Sequence, residues 1–130
     1  MSDMGFTPNF TAASAINPFR FVEINTATPF TGQKANAASD NILGVTDGSV
    51  RRFDATVHAN TGEQITLQPT NTVQVEAGAA IATIGAFLTS DADGRAVAGA
   101  SGNICYYMAL ETAGGAGEII RAFRFGTRAV

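Results

Sequence analysis

The sequence is poor in the residues that most often carry chemistry. Its 130 residues include one cysteine, one histidine and no tryptophan. Cys105 has no disulfide partner within the chain, and its neighbours Ile104 and Tyr106 predict a buried, unreactive thiol. The lone histidine, His58, falls short of a zinc ligand set, and no ligand-spaced cluster accompanies it. We therefore predict no metal and no cofactor.

Charged residues are scarce as well. They make up 15% of the chain, against roughly 25% in an average soluble protein. The formal net charge is −3, whereas a general nucleic-acid binder is expected to be basic. These values predict no nucleic-acid partner, and they favour a surface that is partly covered by another protein.

Long apolar runs are also missing. No run reaches the roughly 18 residues that span a bilayer. Residues 1–10 have neither the basic start nor the apolar core of a secretory signal. We expect a protein kept in a cytoplasm-like compartment, with no membrane partner.

Two candidate chemical sites are weak. Ser49, His58 and Asp54 could be drawn as a catalytic triad, but no Gly-x-Ser-x-Gly motif accompanies them. Asp91 and Asp93 resemble the start of a calcium loop but lack its later oxygen ligands, so that a tight turn is the better account. The sequence predicts a protein that is not an enzyme.

The pattern along the chain is that of short strands and turns. Turn residues recur at intervals of roughly 8–12 residues, which is typical of a β-sandwich or small barrel. Residues 19–130 are therefore predicted to form a single all-β domain with at most one short helical element, at Ala12–Ile16 or Ala77–Ile84. The predicted strands are Phe19–Ile24, Gln33–Ala37, Asn41–Thr46, Gln64–Leu67, Thr72–Val75, Ala86–Thr89, a return strand from Arg95, Ile104–Leu110 and Glu118–Phe125.

Residues 1–18 differ from the rest of the chain. They are rich in small and polar residues and show neither strand nor helix periodicity, which predicts an extended arm. Phe6, Phe10 and Ile16 are unusual in such a segment, because exposed apolar side chains gain nothing in water. Either the arm docks on a neighbouring protein or it packs onto its own domain.

The end of the chain carries three arginines. Strand alternation places Arg121 on the same face as Phe123 and Phe125, and Arg124 on the opposite face. Two interpretations remain open: a solvated edge whose arginine stems cover apolar surface, or ion pairs between subunits with acidic residues such as Glu111 and Glu118.

Much of the chain resembles the capsid cement, or head decoration, proteins of tailed bacteriophages. The resemblance rests on VEAGAAIATIGAFLTSDADGRAV at Val75–Val97 and ALETAGGAGEIIRAFRF at Ala109–Phe125. ILGVTDG at Ile42–Gly48 is similar to an earlier strand of that family. The similarity runs from Phe19 to Phe125 and leaves the arm unmatched.

This resemblance implies a structural role. Members of the family are compact β-proteins that assemble, often as trimers, on the outside of the expanded head and tie major capsid subunits together. It implies a homotrimeric virion protein that is made in the host cytoplasm and binds the major capsid protein. The implied capsid contacts are Phe6, Phe10 and Ile16, and the implied subunit-interface residues are Arg121, Arg124, Arg128, Glu111 and Glu118.

An alternative from another class is a small-molecule or carrier-type β-module. The Val-x-Ala-Gly-Ala-x-Ile pattern also resembles biotinyl and lipoyl domains, which attach their group to a lysine at a hairpin tip. The one lysine, Lys34, lies in a different stretch without flanking methionines. The sequence therefore lacks a recognisable attachment lysine.

Overall fold

The predicted all-β fold is confirmed. The structure, a computed structural model, describes residues 10–38, 41–51 and 56–129, and within these ranges the chain forms strands and turns but no helix. No membrane-spanning helix is found there either. The strands are β1 (Phe10–Ala12), β2 (Phe21–Ile24), β3 (Thr31–Lys34), β4 (Ile42–Val45), β5 (Gln64–Ile65), β6 (Thr72–Glu76), β7 (Phe87–Ser90), β8 (Ala96–Ala98), β9 (Ile104–Ala109) and β10 (Ile119–Ala129).

The first sheet is curled into a small barrel. Its strand order is β4-β2-β3-β1-β5, and β1 and β3 form its parallel pair. The segment after β5 returns to β4, because Leu67 bridges Thr46 and the amide of Gln68 donates to the Val45 carbonyl at 2.8 Å. These contacts join the two ends of the first sheet. We call this closed sheet the barrel.

The second sheet is antiparallel throughout, in the order β6-β10-β9-β7-β8. Its inner face packs against the outside of the barrel, where the rings of Phe21 and Tyr107 lie 5.3 Å apart. Cys105 on β9 is buried, as predicted, and burial raises the pKa of its thiol. The domain thus has two layers, the barrel and the second sheet.

The domain has two hydrophobic cores. A smaller core fills the barrel, and a larger one lies between the barrel and the second sheet. Strand β2 supplies both, because successive side chains point to opposite faces of a strand: Val22 lies in the barrel core and Phe21 in the core between the layers. The barrel core consists of Ala12, Ile16, Val22, Ala59, Ile65 and Leu67.

The predicted Asp-Ala-Asp-Gly turn ties the layers together. Oδ1 of Asp91 accepts the amides of Asp93 at 2.8 Å and Arg95 at 2.9 Å, which shapes the turn between β7 and β8. Gly94 adopts φ +77°. Its carbonyl accepts the amide of Phe21 on β2 at 2.7 Å.

Gln68 makes a second link between the layers. Its Nε2 donates to the carbonyls of Thr46 at 3.0 Å and Gln74 at 2.6 Å, and its Oε1 accepts the Gln74 amide at 2.8 Å. The side-chain amide therefore acts as a peptide group of a neighbouring strand would. It satisfies the edge of β6 where that edge meets the barrel.

Several sequence predictions need correction. The helical turns at Ala12–Ile16 and Ala77–Ile84 are wrong, because both stretches contribute isolated bridges, at Ile16, Ala77 and Ile81, to distant strands. These long-range pairings override the helix propensity of alanine. The strand predicted from Phe19 begins two residues later, since Phe19 has φ +59°.

The structure describes the predicted arm only from residue 10 onwards. Phe10–Ala12 forms β1 between β3 and β5, and Ile16 bridges Ala59 inside the barrel. Residues 10–18 thus follow the alternative in which the segment packs onto its own domain. Residues 1–9, including Phe6, lie outside the described residues.

The Gly94 turn yields a test with a matched control. Gly94→Ala combines a left-handed backbone with a Cβ placed 3.0 Å from the Phe21 carbonyl oxygen. Gly62→Ala carries the same backbone cost, at φ +83°, with nothing within 4 Å. We expect Gly62→Ala to lose about 1–2 kcal/mol of unfolding free energy and Gly94→Ala at least ~1 kcal/mol more. Equal losses in urea unfolding would contradict the coupling of turn and barrel.

Candidate interaction surfaces

The outer face of the second sheet exposes large apolar side chains. Along β10 the alternation predicted from the sequence holds: Ile120 and Ala122 are buried, whereas Ile119 and Phe123 are 40% and 37% exposed. Leu110, directly after β9, is 42% exposed. Together with Phe87, Met108 and Phe125, these residues form what we call the outer apolar face.

Pairing across strands makes this face continuous. Phe123 on β10 lies opposite Met108 on β9, which in turn lies opposite Phe87 on β7. The rings of Phe87 and Phe125 are 5.1 Å apart. Such a contiguous apolar surface on a soluble domain marks a site of protein contact more often than scattered single residues do.

An ion pair lies within the outer apolar face, because Arg121 falls between Ile119 and Phe123 on the exposed side of β10. Nε of Arg121 lies 2.9 Å from Oε2 of Glu111, which also accepts the Arg121 amide at 2.8 Å. The hydrogen bond from the Arg121 side chain is the main cause that holds the pKa of Glu111 below its ordinary value. Two residues assigned by resemblance to the subunit interface therefore pair within one chain.

Arg124 belongs to the junction of the two layers. Its Nη1 donates to the Leu43 carbonyl of the barrel at 3.1 Å and to the Tyr107 hydroxyl at 3.2 Å. Its guanidinium also lies 5.4 Å from the Tyr106 ring centroid and 5.5 Å from that of Tyr107. A groove of about 310 Å³ opens beside it, and Arg124, Tyr107, Leu43 and Phe10 are among the residues that line it.

The other predicted interface and arm residues have separate positions. Oε2 of Glu118 accepts the Gly114 amide at 2.6 Å and closes the glycine loop before β10. The backbone of Arg128 pairs with Cys105, while its side chain lies outside the described residues. Phe10 is half-buried beside the groove, whereas Ile16 is fully buried and offers no surface to a partner.

The structure brings Ser49 and His58 together, but not in a catalytic arrangement. Nδ1 of His58 lies 3.2 Å from the Ser49 hydroxyl and 2.9 Å from the Ser49 carbonyl oxygen, and Nε2 accepts the Thr66 amide at 3.0 Å. This bonding assigns the proton to Nδ1 and leaves no free lone pair to act as a base. The Ser49 hydroxyl donates a hydrogen bond to Oδ1 of Asp47 at 2.5 Å. Asp54, the acid of the predicted triad, lies outside the described residues.

Lys34 lies within strand β3 and not at a hairpin tip. Its Nζ is 3.5 Å from Oδ1 of Asp93. The feature that a carrier domain requires, a lysine displayed at a turn, is therefore not present at this residue.

His58 is predicted to serve folding. Replacing it with Ala removes the acceptor of the Thr66 amide and leaves a cavity where the buried imidazole was. We therefore expect a loss of about 1–3 kcal/mol of unfolding free energy. Ser49→Ala keeps the carbonyl that binds Nδ1 and should cost less than ~1 kcal/mol. Denaturant unfolding compares the two variants, and a reversed order would refute the assignment.

Arg124 is predicted to control the ionisation of Tyr107. Burial raises the pKa of Tyr107, and the hydrogen bond and charge of Arg124 partly offset this rise. Removing the guanidinium in Arg124→Gln should therefore raise the pKa further. A Tyr106→Phe background leaves Tyr107 as the one tyrosine, so phenolate absorbance during alkaline titration reports it alone.

The same titration has a stability counterpart. Because the folded-state pKa is raised, the stabilisation from neutral Tyr107 is complete below roughly pH 10 and is lost as the pH rises through the folded value. Arg121→Gln, which removes an arginine paired elsewhere, should leave the titration unchanged. A lower pKa in Arg124→Gln would contradict the proposed contact.

Comparisons with known proteins relate this chain to others by its fold. No protein-family model matches the sequence, and no curated protein matches it. The fold is similar to the solved N base of head fiber gp8.5 in bacteriophage phi29, with 20% sequence identity and a TM-score of 0.63. The match covers 89% of this chain and 90% of that chain, so both layers of the domain take part in it.

Proposed function

We propose that this chain is a structural protein of a phage virion, a decoration protein bound to the outside of the expanded head, and not an enzyme. The observation that carries the proposal is the similarity of fold, along nearly the whole of both chains, to the base of a phage head fiber. The sequence resemblance to head decoration proteins supports the same class. Two independent kinds of likeness therefore agree on a head-associated protein.

The surface is consistent with this role. Charged residues are few, and the outer apolar face presents large side chains where an isolated soluble domain normally presents polar ones. Two of the arginines that could attract phosphate, Arg121 and Arg124, are held by contacts within the chain. Contact with protein, and not with nucleic acid, fits this chemistry better.

We assign the outer apolar face to self-association in a homotrimer. Leu110, Ile119 and Phe123 provide the apolar area, and the Arg121–Glu111 pair among them carries both signs of charge. A second copy brings the same two charges, so each can find an opposite partner across the contact. Ring closure then fixes the number of copies.

The second partner is the major capsid protein. A trimer that contacts several capsid subunits gains effective concentration, so that contacts which are weak singly become strong together. It stabilises the form of the shell that presents all sites at the right spacing, because a ligand stabilises the state it binds. Phe6 and Phe10 remain candidate capsid contacts, whereas Ile16 is withdrawn because it is buried.

The direct test is binding to heads. Expanded heads from a phage deleted for the gene of this chain are mixed with the purified protein and sedimented, and compact precursor shells serve as the comparison. The proposal expects a trimer by light scattering that sediments with expanded heads only. A monomer that binds neither particle would refute it.

A pair of variants tests the assignment of the outer apolar face. Leu110→Glu places a charge on that face, and Val50→Glu places one on the barrel layer at nearly the same exposure, 42% against 43%. We expect Leu110→Glu to weaken self-association by at least about tenfold, because a buried unpaired charge is costly, and Val50→Glu to have no effect. Sedimentation velocity measures both. Trimers of undiminished stability in Leu110→Glu would place the subunit contact elsewhere.

A further inference from the structure

Both the exposure of the Phe30 side chain and the conformation of its backbone are energetically unfavourable. Its side chain is 75% exposed, the highest value among the exposed large hydrophobic residues of the described chain. Its backbone has φ +55°, a left-handed conformation that disfavours any residue with a Cβ. Strain of this kind persists only where the surrounding structure enforces it, and it concentrates at functional positions.

The loop before Phe30 is held rigidly. The carboxamide oxygen of Asn25 accepts the amides of Ala27 at 2.9 Å and Thr28 at 3.1 Å. The Asn25 amide donates to the Thr31 carbonyl at 2.8 Å, and the Thr31 hydroxyl donates to the Pro29 carbonyl at 3.0 Å. These bonds fix both ends of the turn between β2 and β3.

The hydrogen bonds continue into the barrel. Nδ2 of Asn25 donates to Oε1 of Gln33 at 3.0 Å, and Nε2 of Gln33 donates to Oε2 of Glu23 at 2.6 Å. The carbonyl of Phe30 itself accepts the amide of Thr11 on β1 at 3.1 Å. The ring is therefore displayed from a braced hairpin tip, at a defined place on the barrel layer.

We propose that Phe30 is the anchor by which the barrel layer binds the capsid, inserting its ring into an apolar pocket on the head surface. This inference rests on the proposed function and names a contact within it. Preorganisation of the loop supports it, because a backbone already held in its bound conformation loses less entropy on binding. Aromatic residues held in this way dominate the energy of many protein interfaces.

The chemistry around Phe30 favours a protein pocket. Residues 25–31 read Asn-Thr-Ala-Thr-Pro-Phe-Thr and carry no charge. Binding to lipid headgroups or to nucleic acid draws on lysine and arginine beside the inserted ring, and this loop has neither. The pocket that fits is apolar at its floor and uncharged at its rim.

Position separates this contact from self-association. Phe30 follows β2 in the barrel layer, whereas the outer apolar face belongs to the second sheet and points away from the barrel. One layer can therefore hold the trimer together while the other faces the capsid. Loss of Phe30 should leave the oligomer intact.

The experiment measures how tightly the wild-type protein, Phe30→Ala and Val50→Ala bind to expanded heads that lack this protein. Val50 is an exposed apolar residue elsewhere on the barrel layer and serves as the matched control. We expect Phe30→Ala to bind about 30-fold more weakly and Val50→Ala to bind as wild type does. Light scattering and thermal unfolding check that each variant stays trimeric and folded.

Two further variants separate the anchor from its bracing. Asn25→Ala keeps the ring but removes its rigid support, so we expect binding about 3- to 10-fold weaker. Phe30→Gly should unfold at a higher temperature than Phe30→Ala, because glycine adopts φ +55° freely, and yet bind no better.

The outcomes distinguish the two levels of proposal. If wild type does not bind the heads, the proposed function fails and this inference fails with it. If wild type binds and Phe30→Ala binds equally well, only the anchor is refuted. Dissociation of Phe30→Ala into monomers, or a Phe30-dependent association of wild type with neutral lipid vesicles, would also overturn it by assigning the ring to another partner.

Discussion

The fold depends on strands that are buried on both faces. In β2, Phe21 points into the core between the layers, and the next residue, Val22, points into the barrel. Strand β4 also supplies both cores, with Val45 on one side and Leu43 on the other, because its pairing with β2 is irregular at Leu43. A shift of one residue in the register would exchange the two sets of side chains between two cores of different size. The register of the barrel is therefore fixed from both sides.

This constraint accounts for the distribution of polar groups. A strand with two buried faces has no polar face, so hydrogen bonds at its ends and edges must join the layers. The Gly94 carbonyl serves β2 in this way, and the side chains of Gln68 and Arg124 serve β6 and β4. These polar side chains are thereby committed within the chain.

Sequence patterns predicted much of this architecture because most of it is local. Alternation identified β6 and the two faces of β10, an apolar run identified β9, and turn chemistry identified the Asp91–Gly94 hairpin. The same alternation placed Arg121 beside Phe123 on the outer face. These features need only neighbouring residues to specify them.

The missed features depend on long-range pairing. Nothing within residues 10–12 signals a strand, because β1 is fixed by β3 and β5 and not by its own pattern. The arginine contacts were also beyond the sequence, since the Leu43 carbonyl that binds Arg124 is 81 residues away. The sequence around Phe30 indicates only part of its structure. Thr-Pro-Phe-Thr predicts a turn, but it predicts neither a left-handed backbone nor an exposed ring.

Exposing the Phe30 ring on a strained backbone costs folding free energy. We expect binding to offset this cost only if several copies of the ring bind together. One aromatic anchor in a pocket gives modest affinity, because most of the gain offsets the entropy lost on association. In a closed trimer the same anchor is present three times, and after the first insertion the others act at high effective concentration. Strain that looks wasteful in one chain then favours simultaneous binding at spaced sites. A rigid tip suits this role, since flexible tips would tolerate wrong spacings and lose discrimination between forms of the shell.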